Sequence, residues 1–324
     1  MDADPGPQGL IGRKMASLAR SIESYTRRMV RDRWQFTVPP FAGAAEPAAF
    51  HLGGPQDEAL ARLEWLVEQR QRCALVVAEE GCGKSHLCAM IPRRLGGLGC
   101  EVVLLSLRGL SGGDWLELLL ARLPLDPPAR GEAIRPWQKL EDRLRENALM
   151  ERTTVIVVDD ADHAPAEALD GLTRLVVASE PLFHRTLLVL TTRPAGAAGL
   201  PAPLRQRTAV RIELSPWDEA DVARFIVRAL GRAGAEGDLF TPEAVATLTR
   251  FTGGVPGGVC GLARLAVVAA AADGLERIDA GTIERVWRDL VPGPVMRAPS
   301  PTDGVEPQGA PTNPQVRVVR RLGG

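Results

Sequence analysis

Apolar residues follow two rhythms along this chain, and the change between them divides it. Between Cys73 and Leu214, short and almost wholly apolar runs recur: CALVV at Cys73 to Val77, EVVLLSL at Glu101 to Leu107, TTVIVV at Thr153 to Val158, TLLVLT at Thr186 to Thr191 and AVRIEL at Ala209 to Leu214. Each has the length of a strand. Stretches with helical spacing separate them: one before the first run, with Leu60, Leu63, Leu66 and Val67 on one face, then others after Lys84, at about 113–122, at about 136–149 and from Pro165 to Ser179. Strands without a polar face that alternate with helices predict an α/β fold, a parallel sheet covered on both sides.

After Pro216 the strand signals stop. Helices are predicted at about 218–231, 242–251, 257–272 and 279–289, which together make a small helical domain. Asp218 and Thr241 are the expected N-caps, and Pro242 sits where a first helical turn tolerates proline.

The two ends of the chain read differently. Ile11, Met15, Leu18, Ile22, Tyr25 and Met29 form one stripe of a helix, with Arg13, Lys14, Arg20, Arg27 and Arg28 on its other faces. That arm could dock on its own domain or hold a partner. The stretch 36–56 (FTVPPFAGAAEPAAFHLGGPQ) reads as an extended, irregular connector, and 292–324 as a disordered tail rich in Pro and Gly. The expected division is therefore an arm over 1–35, an α/β domain over 36–215, a helical domain over 216–291 and a tail over 292–324.

Composition narrows the function. A net charge of -1 over 324 residues excludes a uniformly basic nucleic-acid binder, while leaving room for a local basic patch. The five cysteines show neither a pairing rhythm nor a CxxC motif, which points to free thiols in a reducing cytoplasm. The longest strongly apolar run, Leu265 to Ala272, falls short of the roughly 20 residues a membrane span needs, so no span is expected.

The candidate chemistry lies at the ends of two predicted strands. AEEGCGKS, Ala78 to Ser85, directly follows CALVV and precedes a helix, the context of a phosphate-binding loop. Ala78, Glu79, Glu80, Gly81, Cys82, Gly83, Lys84, Ser85 and His86 are the candidate phosphate-loop residues. Gly81 and Gly83 let backbone N–H groups face phosphate oxygens, Lys84 would neutralise the β- and γ-phosphates, and the Ser85 hydroxyl would ligate Mg²⁺. Ala78 departs from the usual pattern, which has glycine there.

VIVVDD, Val155 to Asp160, ends a buried strand in two acids at the sheet's C-terminal edge. Asp159 would hold Mg²⁺ through its water shell, and Asp160 would orient the attacking water. Asp160 is one methylene shorter than the more usual glutamate, and a misplacement of about 1 Å can cost on the order of 10²-fold in rate. Slow hydrolysis is therefore expected.

With their flanks, these motifs resemble the ATPase domain of general secretion pathway protein A, in the origin-recognition-like branch of AAA+ proteins. The resemblance runs from about Phe36 to Leu290, through FTVPPF, EALARLEWLVEQR, Gln206-Arg207, RIELSPWDEADVARFIVRAL and LFTPEAVATLTRFTGGVPGGV. It implies a P-loop sheet of order 5-1-4-3-2 with a helical lid, and ATP with Mg²⁺ at their junction. It further implies that Thr191 and Thr192 sense the γ-phosphate and that Arg207, with Arg205 nearby, serves as an arginine finger toward a neighbouring subunit. Where the family carries a lid arginine, this chain has Gly257, with Arg264 two turns further on.

Two functions follow from that resemblance. One is an ATPase that remodels or assembles with a protein partner, as a homo-oligomer. The other is an ATP-dependent binding switch, DNA-associated like transposition-helper ATPases, in which hydrolysis only resets the state. Ala78, Asp160 and Gly257 favour the switch, and the Gly83-Lys84-Ser85 run suits both.

Overall fold

Five parallel strands form one sheet in the order β2-β3-β4-β1-β5. The strands are β1 (Cys73–Val77), β2 (Glu101–Ser106), β3 (Thr154–Asp159), β4 (Thr186–Thr192) and β5 (Val210–Glu213). This computed structural model describes residues 28–41, 53–125, 135–178, 183–235 and 238–290. Most of the N-terminal stripe, Ile11 to Tyr25, and the whole of the stretch 292–324 lie outside the described residues.

The unbroken apolar runs are explained by cover on both faces. Cys73, Leu75, Val77, Val103, Leu105, Ile156, Val158, Leu188 and Leu190 enter one core. Their alternates Ala74, Val76, Val155, Val157, Leu187, Val189 and Ile212 enter the other, as the two-residue period of a strand requires. Helices α1 (Gly54–Glu68) and α2 (Lys84–Gly96) close the second face. Helices α3 (Asp114–Arg122), α4 (Pro136–Leu149), α5 (Ala166–Val177), the short α6 (Pro194–Ala197) and α7 (Ala202–Arg207) close the first. The two short helices carry no apolar period long enough to be read from sequence, and the pattern did not predict them.

Four more helices make a third core: α8 (Glu219–Ala233), α9 (Pro242–Thr252), α10 (Pro256–Ala272) and α11 (Ala280–Leu290). The expected caps are present. Asp218 accepts from the Asp221 N–H and Thr241 from the Ala244 N–H, each worth about 1 kcal/mol.

The stretch 36–41 is irregular, as expected of a connector, but it is anchored, and the far end of 36–56 is already helix. Phe36 and Phe41 are buried in the helical core, where Phe41 meets Phe225 and Phe240 ring to ring. Thr37 N–H donates to Ala233 O at 2.9 Å, and Arg33 donates to Leu275 O at 2.9 Å. At the other end, Gly54 and Pro55 already belong to α1. Proline and glycine hid both facts, because residues that anchor singly leave no period.

Candidate functional site: the phosphate loop and its acids

Strand β1 ends at Val77, and α2 begins seven residues later at Lys84. The intervening turn needs left-handed backbone twice, at Gly81 (φ 82) and Gly83 (φ 90). Ala78 is not such a position. It continues β1, its N–H donating to Thr192 O at 3.1 Å, and the positive-φ residues other than glycine among those described are Gln35, Arg70, Glu151 and Asp160. Alanine therefore fits the first position of the loop without strain.

Lys84 is 8% exposed, and its Nζ donates to the carbonyls of Ala78 at 2.9 Å and Glu79 at 3.1 Å. Among the described residues no carboxylate pairs with it. A buried charge without a counter-charge is costly, so this loop holds a positive charge that an anion would stabilise. Around it Glu79, Glu80, Gly81 and Ser85 are exposed, Cys82 is buried and His86 is half-buried. Burial lowers the His86 imidazole pKa and raises the Cys82 thiol, the latter against the pull of the Lys84 charge.

Beside the loop, β3 delivers the two acids. Thr191, fully buried on β4, joins them: its Oγ1 donates to Asp159 Oδ1 at 2.6 Å and accepts from the Asp160 N–H at 2.9 Å. The Cys88 thiol also donates to Asp159 Oδ1, at 3.6 Å, and burial followed by the Asp159 charge pushes that thiol well above its ordinary pKa. Asp159 Oδ2 takes no hydrogen bond among the described residues. Thr192 Oγ1 donates to the Arg193 carbonyl at 3.0 Å. Both hydroxyls expected to meet a γ-phosphate thus have protein partners, and Thr191 orders the acids.

Asp160 adopts left-handed backbone, φ 52 and ψ 49, a conformation that aspartate tolerates better than most residues. Its Oδ2 faces Arg108, just beyond β2, at 3.2 Å. Arg108 and His163, which no sequence motif marks, form a chain of contacts at this edge. Arg108 lies 3.3 Å from His163 Nδ1, Arg193 lies 3.2 Å from His163 Nε2, and Arg193 donates to Asp162 Oδ2 at 2.9 Å. A neutral imidazole has one lone pair, so His163 accepts from one of the two arginines at a time. A cation one or two residues past a strand that abuts the acids was the available signal.

The remaining candidates lie further away. Arg207 is exposed and stands near Arg72, at the N-terminal end of β1, whose pKa is lowered first by burial and then by the Arg207 charge. The phosphate loop is at the other end of that strand, roughly 16 Å away at about 3.3 Å per residue, so Arg207 does not reach its own subunit's loop. Arg205 donates to Leu200 O at 3.1 Å. Arg264 is exposed beside Cys260 on α10. Gly257, by contrast, touches the loop through its backbone, its N–H donating to Gly81 O at 3.0 Å.

A five-stranded parallel sheet of this order, with a glycine-turned lysine loop after β1, an acid pair at the end of β3 and a helical unit over the loop, defines a P-loop nucleoside triphosphatase fold of the AAA+ type. Residues 67–195 match the family model described as AAA domain. It resembles general secretion pathway protein A of Aeromonas hydrophila, 28% identical over 252 residues, which are 76% of this chain and 45% of that relative. The chain thus spans less than half the length of the relative it matches. Among solved structures it is similar in fold to Cdc6p from Pyrobaculum aerophilum, with a TM-score of 0.61 at 14% identity over 78% of this chain and 71% of that one. The Aeropyrum pernix ORC2 protein in its ADPNP-ADP complexes gives a TM-score of 0.58 at 12% identity, over 78% and 72%. No described helix is long and apolar enough to cross a membrane.

Proposed function

We propose that this chain binds ATP with Mg²⁺ at the Ala78–Ser85 loop and hydrolyses it slowly on its own, using the bound state to assemble with a partner. The observation that carries this reading is Lys84: a mostly buried ammonium held under the loop by two carbonyls, with no carboxylate among the described residues to balance it. The residues also suit a magnesium ion. Ser85 is exposed at the start of α2, and Asp159 Oδ2 is unengaged among the described residues while Thr191 and Cys88 hold its Oδ1. When bound, the ion would neutralise phosphate charge.

The division of labour follows the sheet half and the helical half. The sheet half, up to about residue 215, holds the phosphates, and the helical half from about 216 acts as a lid whose α10 meets Gly81. Asp160 orients the attacking water once Arg108 no longer occupies its carboxylate. That ion pair supports slow turnover in isolation and favours the switch reading, in which a partner sets the rate. A homo-oligomer would bring one subunit's Arg207 to its neighbour's phosphates. Five free thiols suit a reducing, cytoplasmic setting.

The test is Mg²⁺-dependent ATP binding and turnover by wild type and Lys84→Ala, with mass measured with and without ATP. Binding and turnover that both vanish in the variant support the reading. Lys84-independent binding, or none in wild type, overturns it.

A further inference from the structure

Three of the phosphate loop's carbonyls have donors that belong to the loop's own end or to the lid: Ala78 and Glu79 face Lys84, and Gly81 faces the Gly257 N–H. The Cys82 carbonyl is held from elsewhere. Gln56, in the first turn of α1 and 3% exposed, donates its Nε2 to Cys82 O at 3.2 Å. Its other amide atom, Oε1, accepts from Trp217 Nε1 at 2.8 Å. One buried amide thus joins the loop to Trp217, which stands between β5 and α8 where the chain passes into the lid.

Trp217 is tightly seated there. Its N–H donates to Gly254 O at 2.9 Å, and a side chain on Gly254 would meet the Trp217 carbonyl at 2.0 Å. A side chain on Gly53 would strike the indole nitrogen at 2.1 Å. The tryptophan also packs on Phe225 of α8, with ring centroids 5.1 Å apart. Trp217 is therefore fixed by the lid and by the start of α1 together, and Gln56 is the polar path from it to the loop.

Peptide planarity gives that path a direct effect on ligand binding. In a trans peptide the C=O and the following N–H point in opposite directions. Holding the Cys82 carbonyl on the Gln56 side turns the Gly83 N–H to the other side. By the same rule, the Gly257 contact to Gly81 O orients the Cys82 N–H. Gly83 needs this help most, because glycine at φ 90 has the freedom to flip its peptide.

We infer that Gln56 is a positioning residue for the phosphate loop, coupling the lid junction at Trp217 to the direction of the Gly83 N–H. The inference rests on the proposed nucleotide reading of the loop. It also supplies what Gly257 lacks: with no arginine at the lid's contact point, the lid and the loop communicate through main-chain groups and one glutamine. The lid registers the loop's conformation and has no need to touch the γ-phosphate itself.

Gln56→Met keeps the length and burial of the side chain and removes both hydrogen bonds. Trp217→Phe removes the lid-side bond and leaves Gln56 facing Cys82. Three readouts separate the outcomes: affinity for a fluorescent ATP analogue with Mg²⁺, melting temperature, and hydrogen exchange of the 79–85 segment without nucleotide. One lost hydrogen bond of about 1 kcal/mol corresponds to roughly fivefold. Gln56→Met should bind the analogue about fivefold to tenfold more weakly and exchange faster at 79–85 before any ligand is added, and Trp217→Phe should show a smaller change in the same direction. Wild-type affinity and wild-type exchange in Gln56→Met overturn the inference. So does a lower melting temperature with both of those unchanged, which would make Gln56 a packing residue. If Gln56→Met does not fold, Trp217→Phe decides by the same two readouts. Wild-type protein that binds no analogue overturns the nucleotide reading and this inference together, whereas failure of the inference alone leaves wild-type, Lys84-dependent binding intact.

Discussion

Arg108 and Asp160 are ion-paired at 3.2 Å across the ends of β2 and β3, so the acid proposed to orient water already has a cationic partner. The pair is accessible to solvent, with Arg108 58% exposed, and partly exposed pairs are worth about 1 kcal/mol or less. Removing Arg108 therefore frees Asp160 at little cost to the fold. Arg108→Ala should raise basal turnover by roughly threefold to fivefold with ATP affinity unchanged. Asp160→Asn, which also tolerates the left-handed backbone, should keep binding and lose turnover in either background. A fall in turnover on removing Arg108 would show instead that the arginine assists the reaction.

Thr191 is the joint between the two acids, and its hydroxyl has no solvent exposure. Thr191→Val keeps the shape and leaves the Asp160 N–H and Asp159 Oδ1 without that partner. The expected cost is about 1–3 kcal/mol of stability, read by denaturant unfolding, with a loss of turnover larger than the loss of ATP affinity. Equal losses of affinity and turnover would argue that Thr191 acts on ground-state binding.

Arg207 stands at the far end of β1 from its own phosphate loop, so any role in turnover is played toward a neighbour. Mixing Lys84→Ala with Arg207→Ala subunits tests this, since each lacks what the other retains. If the finger works in trans, the mixture should turn over ATP well above the sum of the separate variants, because such arginines can be worth roughly 10³-fold or more. No gain on mixing would remove Arg207 from the mechanism.

Asp279 caps α11, accepting at 2.8 Å from both the Thr282 N–H and the Thr282 hydroxyl. These bonds hold its carboxyl below the ordinary pKa of 3.8, the backbone bond contributing most. A depressed acid binds fewer protons folded than unfolded. Its contribution is therefore complete above the unfolded pKa and is lost as pH falls through and below that value. Asp279→Ala should cost about 1 kcal/mol at pH 7, while Asp279→Asn keeps the cap and removes its acid sensitivity. Melting curves between pH 7 and pH 2.5 on the three proteins check both expectations.

The sheet was legible because its central strands are buried on both faces, so apolar residues run without interruption at Val155 to Val158 and Leu187 to Leu190. The caps at Asp218 and Thr241 were legible because capping is local. The loop's turn could be read for the same reason: Gly81 and Gly83 take their left-handed backbone, and Lys84 its carbonyl contacts, within a few residues. Gln56, Trp217, Arg108 and Arg193 were not legible. Gln56 meets Cys82 and Trp217 across separations of 26 and 161 residues, and no spacing rule reaches that far.

Phe36 and Phe41 sit in the helical core, while Gly54 opens a helix that packs on the sheet. The chain therefore passes between the two halves once before α1 and again between Leu214 and Asp218. Two ring contacts and the Thr37 bond therefore fasten to the helical core a segment that precedes the sheet in sequence, so the helical half is completed by residues drawn from both sides of the sheet's own stretch of chain.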